Sequence, residues 1–155
     1  MTFPSSPVGF LLHDVARLMR RRFEQRAAAL GFTRAQWQVL LHLSRNEGIN
    51  QAGLADILEV EPISLVRILD KLQARGLVER RQKDGDRRCW QLFLTPEAHP
   101  SLALLQEIGE GTRAEALAGI EALERDALIR TLSLLKTNLV DACAKPAVDD
   151  EAQHG

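Results

Sequence analysis

The chain has 155 residues, 45% of them hydrophobic, so it is one domain in size, two at most, and too apolar to be disordered throughout. No apolar run approaches the roughly 18 residues that span a bilayer, and Met1–Pro7 lacks the regions of a signal peptide, so no membrane partner and a cytoplasmic location are expected. Cys89, Cys143 and the four histidines (His13, His42, His99, His154) are scattered, which excludes a zinc site or a disulfide framework. No nucleophile–base pair or glycine-rich phosphate loop is visible, so neither an enzyme nor a cofactor is expected. The net charge of −1 conceals an asymmetry: eight Lys/Arg face five Asp/Glu over 61–94, whereas five face eleven over 95–155. Positive charge precedes Thr95 and negative charge follows it, which says more about partners than the total does.

Pro7 opens a first helix to about Leu30, with Val8, Leu11, Leu12, Val15, Leu18, Met19 and Phe23 at helical spacing and Gly31 as its stop. Thr33 caps a second helix to about Ser44, with Trp37, Leu40 and Leu41 inward. After the turn Asn46-Glu47-Gly48, Asn50 caps a third helix that buries Leu54, Ile57 and Leu58. Glu61-Pro62 starts a fourth, with proline at the permitted first position, and Gly76 ends it. Leu77–Gln82 and Arg88–Leu94 read as strands joined by Lys83-Asp84-Gly85-Asp86, a hairpin. Thr95-Pro96 opens a fifth helix in which Pro100 predicts a kink or restart. Gly119-Ile120-Glu121 separates a sixth, to about Ala144, and a small, acidic tail follows.

The fourth helix has two faces. Ser64, Arg67, Lys71 and Arg75 fall within an arc of about 80°, beside an apolar arc of about 100° holding Leu65, Ile68, Leu69 and Leu72. Hydroxyl and cationic donors suit phosphates and guanine edges in a major groove. Alone, this face reads equally as the solvated side of an ordinary amphipathic helix. The hairpin shifts the balance, because Arg80, Arg81, Lys83, Arg87 and Arg88 crowd around one turn, as a wing entering the narrow minor groove requires. Asp86 is expected to orient an arginine beside it by a bidentate ion pair. Lysine and arginine kept for solubility and edge protection are the bland alternative.

These features together resemble the MarR family of bacterial transcriptional regulators, and within it the SlyA-like branch. The resemblance is carried by Gln36-Trp37 with Leu40; Gln51-Ala52-Gly53-Leu54-Ala55; Glu61 through Leu72, with Ser64-Leu65-Val66-Arg67 its most specific part; Arg75-Gly76-Leu77-Val78; Asp86-Arg87-Arg88; and Leu94-Thr95-Pro96. It covers about residues 7 to 144. It implies a mainly α (α+β) fold, a winged helix-turn-helix core between long terminal helices. The expected division is 1–32 as the first helix of a dimerisation layer, 33–94 as the DNA-binding lobe, 95–145 as further dimerisation helices and 146–155 as a disordered tail. Carried over by position, Ser64, Arg67 and Lys71 would contact the major groove and Gln51 the backbone. Arg88 would enter the minor groove braced by Asp86, with Arg87 in its place if the register is off by one. The implied function is a repressor that binds a palindromic double-stranded operator as a homodimer. Two departures stand out. The turn after the third helix carries Glu59 where the family usually has glycine, so that turn is expected to be built differently. Trp90 is bulky for its strand and is expected to pack under the wing.

The same resemblance implies release by a small aromatic carboxylate or phenol. Arg17 and Arg20 match its carboxylate-contacting arginines, Trp37 would supply an aromatic wall, and His42 lies just beyond. Against that, Arg20-Arg21-Arg22 is also a solvated helix face and Trp37 also a core residue. A redox-modulated regulator acting through Cys89 or Cys143 is one alternative; a protein-interaction winged helix is another, for which apolar or acidic groups would be expected at positions 67 and 88.

Overall fold

A computed structural model describes residues 7–146, and local chemistry accounts for most of its element boundaries. Helix α1, Val8–Ala27, tightens into a single 3₁₀ turn, Ala28–Leu30, and closes on the left-handed Gly31. Helix α2, Arg34–Arg45, begins with a reciprocal capping box: the Gln36 N–H donates to the Thr33 hydroxyl, and the Gln36 carboxamide oxygen accepts from the Thr33 N–H. Helix α3, Gln51–Leu58, starts where the Gly53 N–H donates to the Asn50 side chain at 2.7 Å. Helix α4, Pro62–Ala74, has its proline at N1 and ends before Gly76, whose φ is +74°.

The turn between α3 and α4 corrects the expectation at Glu59. It is a left-handed turn despite the missing glycine: Glu59 has φ +53° and ψ +43°, and the Val60 N–H reaches back to the Ala55 carbonyl at 3.1 Å. That six-to-one bond is the Schellman closure, and Leu58 and Val60 pack on the core beside it. The turn keeps its geometry because the bond and the packing outweigh a left-handed penalty of about 1–2 kcal/mol.

Strands β1, Val78–Lys83, and β2, Asp86–Leu94, form the antiparallel hairpin. A 3₁₀ turn, Pro96–Ala98, leads into helix α5, His99–Ala116, so the helix restarts with Pro100 in its first turn. Helix α6, Ala122–Cys143, follows the left-handed Gly119. The chain divides into two compact units, 1–116 and 117–155. The expected disordered tail lies, beyond Pro146, outside the described residues.

The core of the first unit is a leucine cluster: Leu40 and Leu43 from α2, Leu54 from α3, Leu65, Leu69 and Leu72 from α4, Leu92 from β2 and Leu105 from α5. Each fully buried leucine contributes about 1.5–3 kcal/mol. The hairpin is fastened to the turn ahead of α3. The Gly48 N–H donates to the Leu92 carbonyl at 2.8 Å, and the Leu92 N–H to the Ile49 carbonyl at 2.9 Å. The Leu94 N–H reaches the Glu47 carboxylate at 2.9 Å. Gly48 holds φ +87° at this junction with the Phe93 ring against it. Helix α1 lies along α5 through the Arg22–Glu115 pair at 2.8 Å and the Arg26 bond to Thr112 at 3.3 Å.

Candidate nucleic-acid interface

On α4, the buried Leu65, Leu69 and Leu72 fix the inward direction, and Ser64, Arg67 and Lys71 are exposed on the other side. Arg75 shares their cationic arc but is engaged by the protein. Its guanidinium stacks on the Phe32 ring, 4.3 Å from the centroid, and reaches the Gly31 carbonyl.

The wing divides in the same way. Arg80 pairs with Asp70 of α4 at 2.9 Å and bonds Gln73, and its side chain is only 17% exposed. Arg81 pairs with Glu79 and stacks over Phe93 at 4.2 Å. Strand period explains both: Arg80 follows the buried Val78 by two residues and so faces inward, while Arg81 follows Glu79 on the other face. That parity is a signal present in the sequence, and it distinguishes arginines that a count over the hairpin treats alike. Lys83, Arg87 and Arg88 at the tip are exposed. With Arg67 and Lys71 they form no ion pair among the described residues.

The tip is shaped by a break in register. Gln82 pairs with Trp90 and Lys83 with Asp86, so Arg87, Arg88 and Cys89 form an excursion on β2 with no partners on β1. A bulge of this kind bends the strand and leaves main-chain donors free. Asp86 takes one of them: its carboxylate accepts the Arg88 N–H at 2.9 Å. Asp86 therefore holds the main chain at Arg88, in place of the expected side-chain ion pair; no such pair occurs among the described residues.

Trp90 also departs from expectation: it is 41% exposed rather than packed under the wing. It shares a strand face with Leu92 and Leu94, both buried, but stands two residues nearer the tip, where the hairpin has run past the core. Instead it lines a cleft of about 330 Å³ with Asn50, Gln51, Ala52, Arg88 and Cys89. The structure thus brings Gln51 and Arg88 to one cleft, which their separation in sequence did not show.

Among the described residues the four ligand candidates stand in different surroundings. Arg17 on α1 bonds Asp14 at 3.3 Å. Arg20 is half-buried, with its Nε unpartnered. Trp37 is in the core, its ring 4.3 Å from that of Phe23. His42 lines a groove of about 890 Å³ between α2 and α5, with Leu41, Arg45, Leu102, Glu107 and Glu110. Burial, reinforced by the Arg45 charge, pushes the His42 pKa down. Cys89 is half-buried in the wing and Cys143 is exposed on α6. Among the described residues no His, Cys, Asp and Glu group is arranged to hold a metal, and no helix is long and apolar enough to cross a membrane.

A winged helix-turn-helix with two free cationic elements defines a class of nucleic-acid-binding protein, and comparison with known proteins names it. The MarR family model matches residues 30–88. The solved transcriptional regulator PA3341 is 35% identical, with a TM-score of 0.76, over 86% of this chain and 98% of its own. A MarR family regulator from Silicibacter pomeroyi is 27% identical, with a TM-score of 0.74, over 92% and 91%. A MarR family regulator from Listeria monocytogenes, solved in complex with 26mer DNA, shares the fold at 24% identity and a TM-score of 0.77, over 89% and 92%. The chain belongs to the MarR family; it is a DNA-binding transcriptional regulator and not an enzyme.

Proposed function

We propose that this chain is a repressor of the SlyA-like branch that binds a palindromic operator as a homodimer. Helix α4 enters the major groove, where Arg67 hydrogen-bonds guanine O6 and N7 and Ser64 and Lys71 take neighbouring base or phosphate positions. The wing tip enters the minor groove through Arg88, with Arg87 beside it, and Gln51 touches the backbone. One observation carries this reading: Arg67, Lys71, Lys83, Arg87 and Arg88 are exposed without an ion pair among the described residues, while the neighbouring Arg75, Arg80 and Arg81 are engaged by the protein itself. The DNA complex of the Listeria monocytogenes relative supports the same use of the fold.

A second copy covers the apolar surface left over. Phe10, Leu11, Val15 and Leu18 on α1 are exposed, as are Leu123, Ile129, Leu134 and Leu139 on α6. Apolar faces on this scale mark an interaction surface. In this reading 1–32 and 95–145 form the dimerisation layer and 33–94 the DNA-binding lobe. Two recognition helices set about 34–36 Å apart then meet half-sites one helical turn apart. A small aromatic carboxylate or phenol releases the operator by binding better to a dimer of the wrong spacing, and weakens DNA affinity by that difference and no more. Among the described residues the α2–α5 groove offers Arg45 and His42 beside Leu41 and Leu102 for such an anion, with Glu107 and Glu110 also in its lining.

A gel-shift series on the DNA flanking the protein's own gene tests the docking. Arg67→Ala is expected to lose about thirtyfold or more in operator affinity, because one bidentate base contact is worth about 1–3 kcal/mol and the homodimer loses two. If neither Arg67→Ala nor Arg88→Ala weakens binding, the docking is wrong. Sedimentation as a monomer at micromolar concentration would remove the dimer.

A further inference from the structure

The exposed face of α4 carries a residue that its charge pattern does not explain. Ile63 is the second residue of the helix and is 72% exposed. On a wheel of about 100° per residue it lies opposite the buried Leu65, Leu69 and Leu72, and within about 40° of Arg67 one turn later. It therefore stands near the middle of the outward face, beside the edge of the cationic arc that Arg67 marks, at the end of the helix where recognition residues concentrate. Single apolar side chains on a protein surface are ordinary. This one directly precedes Ser64 and lies one turn from Arg67, at a position where a polar side chain would serve equally well if solvent were its only neighbour. Its β-branch leaves it few rotamers, so an apolar interaction made there costs little side-chain entropy.

The major-groove edge of DNA offers one apolar group, the C5-methyl of thymine. Resting on the docking proposed above, we propose that Ile63 is a specificity-determining residue that reads a thymine methyl. One helical turn separates it from Arg67, about 6 Å of rise, against about 3.4 Å per base pair. The thymine therefore lies within two base pairs of the guanine bonded by Arg67.

The test begins with an operator recovered by the wild-type protein from a random duplex library. Each thymine is then replaced singly by deoxyuridine, which removes the methyl and leaves every hydrogen-bonding group in place. One thymine per half-site, within two base pairs of the guanine whose recognition is lost in Arg67→Ala, is expected to bind about three- to fivefold more weakly as deoxyuridine, the effect of one buried methyl-sized group. Ile63→Ala is expected to bind the two duplexes equally, with an unchanged melting temperature because the side chain is exposed. The inference is overturned if no thymine responds or if the response survives in Ile63→Ala. A library that yields no preferred duplex overturns the docking and this inference together. A preferred duplex that depends on Arg67 but not on Ile63 overturns the inference alone.

Discussion

The base and the tip of the wing have similar composition and different uses. At the base, Arg80 is tied to Asp70 and Gln73 of α4, and Arg81 to Glu79 and the Phe93 ring. At the tip, Lys83, Arg87 and Arg88 are exposed, Lys83 at the end of β1 and the two arginines on the register break in β2. Five cations in one hairpin thus serve two functions. At the base, Arg80 ties the wing to the recognition helix and Arg81 is held within the hairpin; those at the tip form no ion pair among the described residues and are the ones proposed to meet DNA. A charge count over the segment adds the two together. The strand period separates them, because parity with a buried residue sends a side chain inward whatever its charge.

The comparison is sharpest at Arg88 and Arg80, two arginines on one hairpin with opposite expectations. Arg88→Ala is expected to weaken operator binding about tenfold or more, with no change in melting temperature, and to flatten the salt dependence by about one unit for each phosphate it no longer neutralises. Arg80→Ala is expected to do the reverse: about 1 kcal/mol less stability in urea unfolding, with operator affinity within about twofold. That figure is kept small because Asp70 is largely exposed, and an exposed partner limits what the pair contributes. Asp70→Ala is expected to cost less, because Arg80 keeps its bond to Gln73, and the double variant no more than Arg80→Ala alone, since the pair is already gone. A large binding defect in Arg80→Ala without a stability change would erase the distinction between base and tip.

Much of the fold was legible because local rules and tertiary packing agree. The Thr33 and Asn50 caps, the proline at the start of α4, and the stops at Gly31 and Gly76 each satisfy a main-chain group that must find a partner in any case. Three features were not legible. Glu59 keeps a glycine-like turn because a six-to-one bond and the packing of Val60 hold it, and neither is encoded at position 59 itself. The outward position of Trp90 depends on how far the core extends along the hairpin; its strand face was predictable and its depth was not. Ile63 is invisible to a charge pattern, whereas the groove that α4 would enter also carries a methyl. The ligand candidates show the same limit. The resemblance matched Arg17 and Arg20 to carboxylate-contacting arginines and added Trp37 and His42; of these four, His42 lines the α2–α5 groove.

The smallest expected effect concerns Asp86, an acid at a tip proposed to meet phosphates. Its carboxylate accepts the Arg88 N–H at 2.9 Å, a donor that the bulge leaves without a strand partner. Two accounts of this residue differ in sign. If its charge is what matters, removing the charge relieves repulsion, and Asp86→Asn and Asp86→Ala both bind DNA more tightly. If the acceptor is what matters, asparagine retains a carbonyl oxygen in the same place and alanine does not. The geometry favours the acceptor. Asp86→Asn is expected to bind at least as well as wild type, and Asp86→Ala about two- to threefold more weakly, the net worth of one exposed hydrogen bond. The defect of Asp86→Ala should vanish in an Arg88→Ala background, because holding the main chain at position 88 has no consequence once the side chain it presents is gone. Tighter binding by Asp86→Ala would identify the acid as an electrostatic brake on the tip instead.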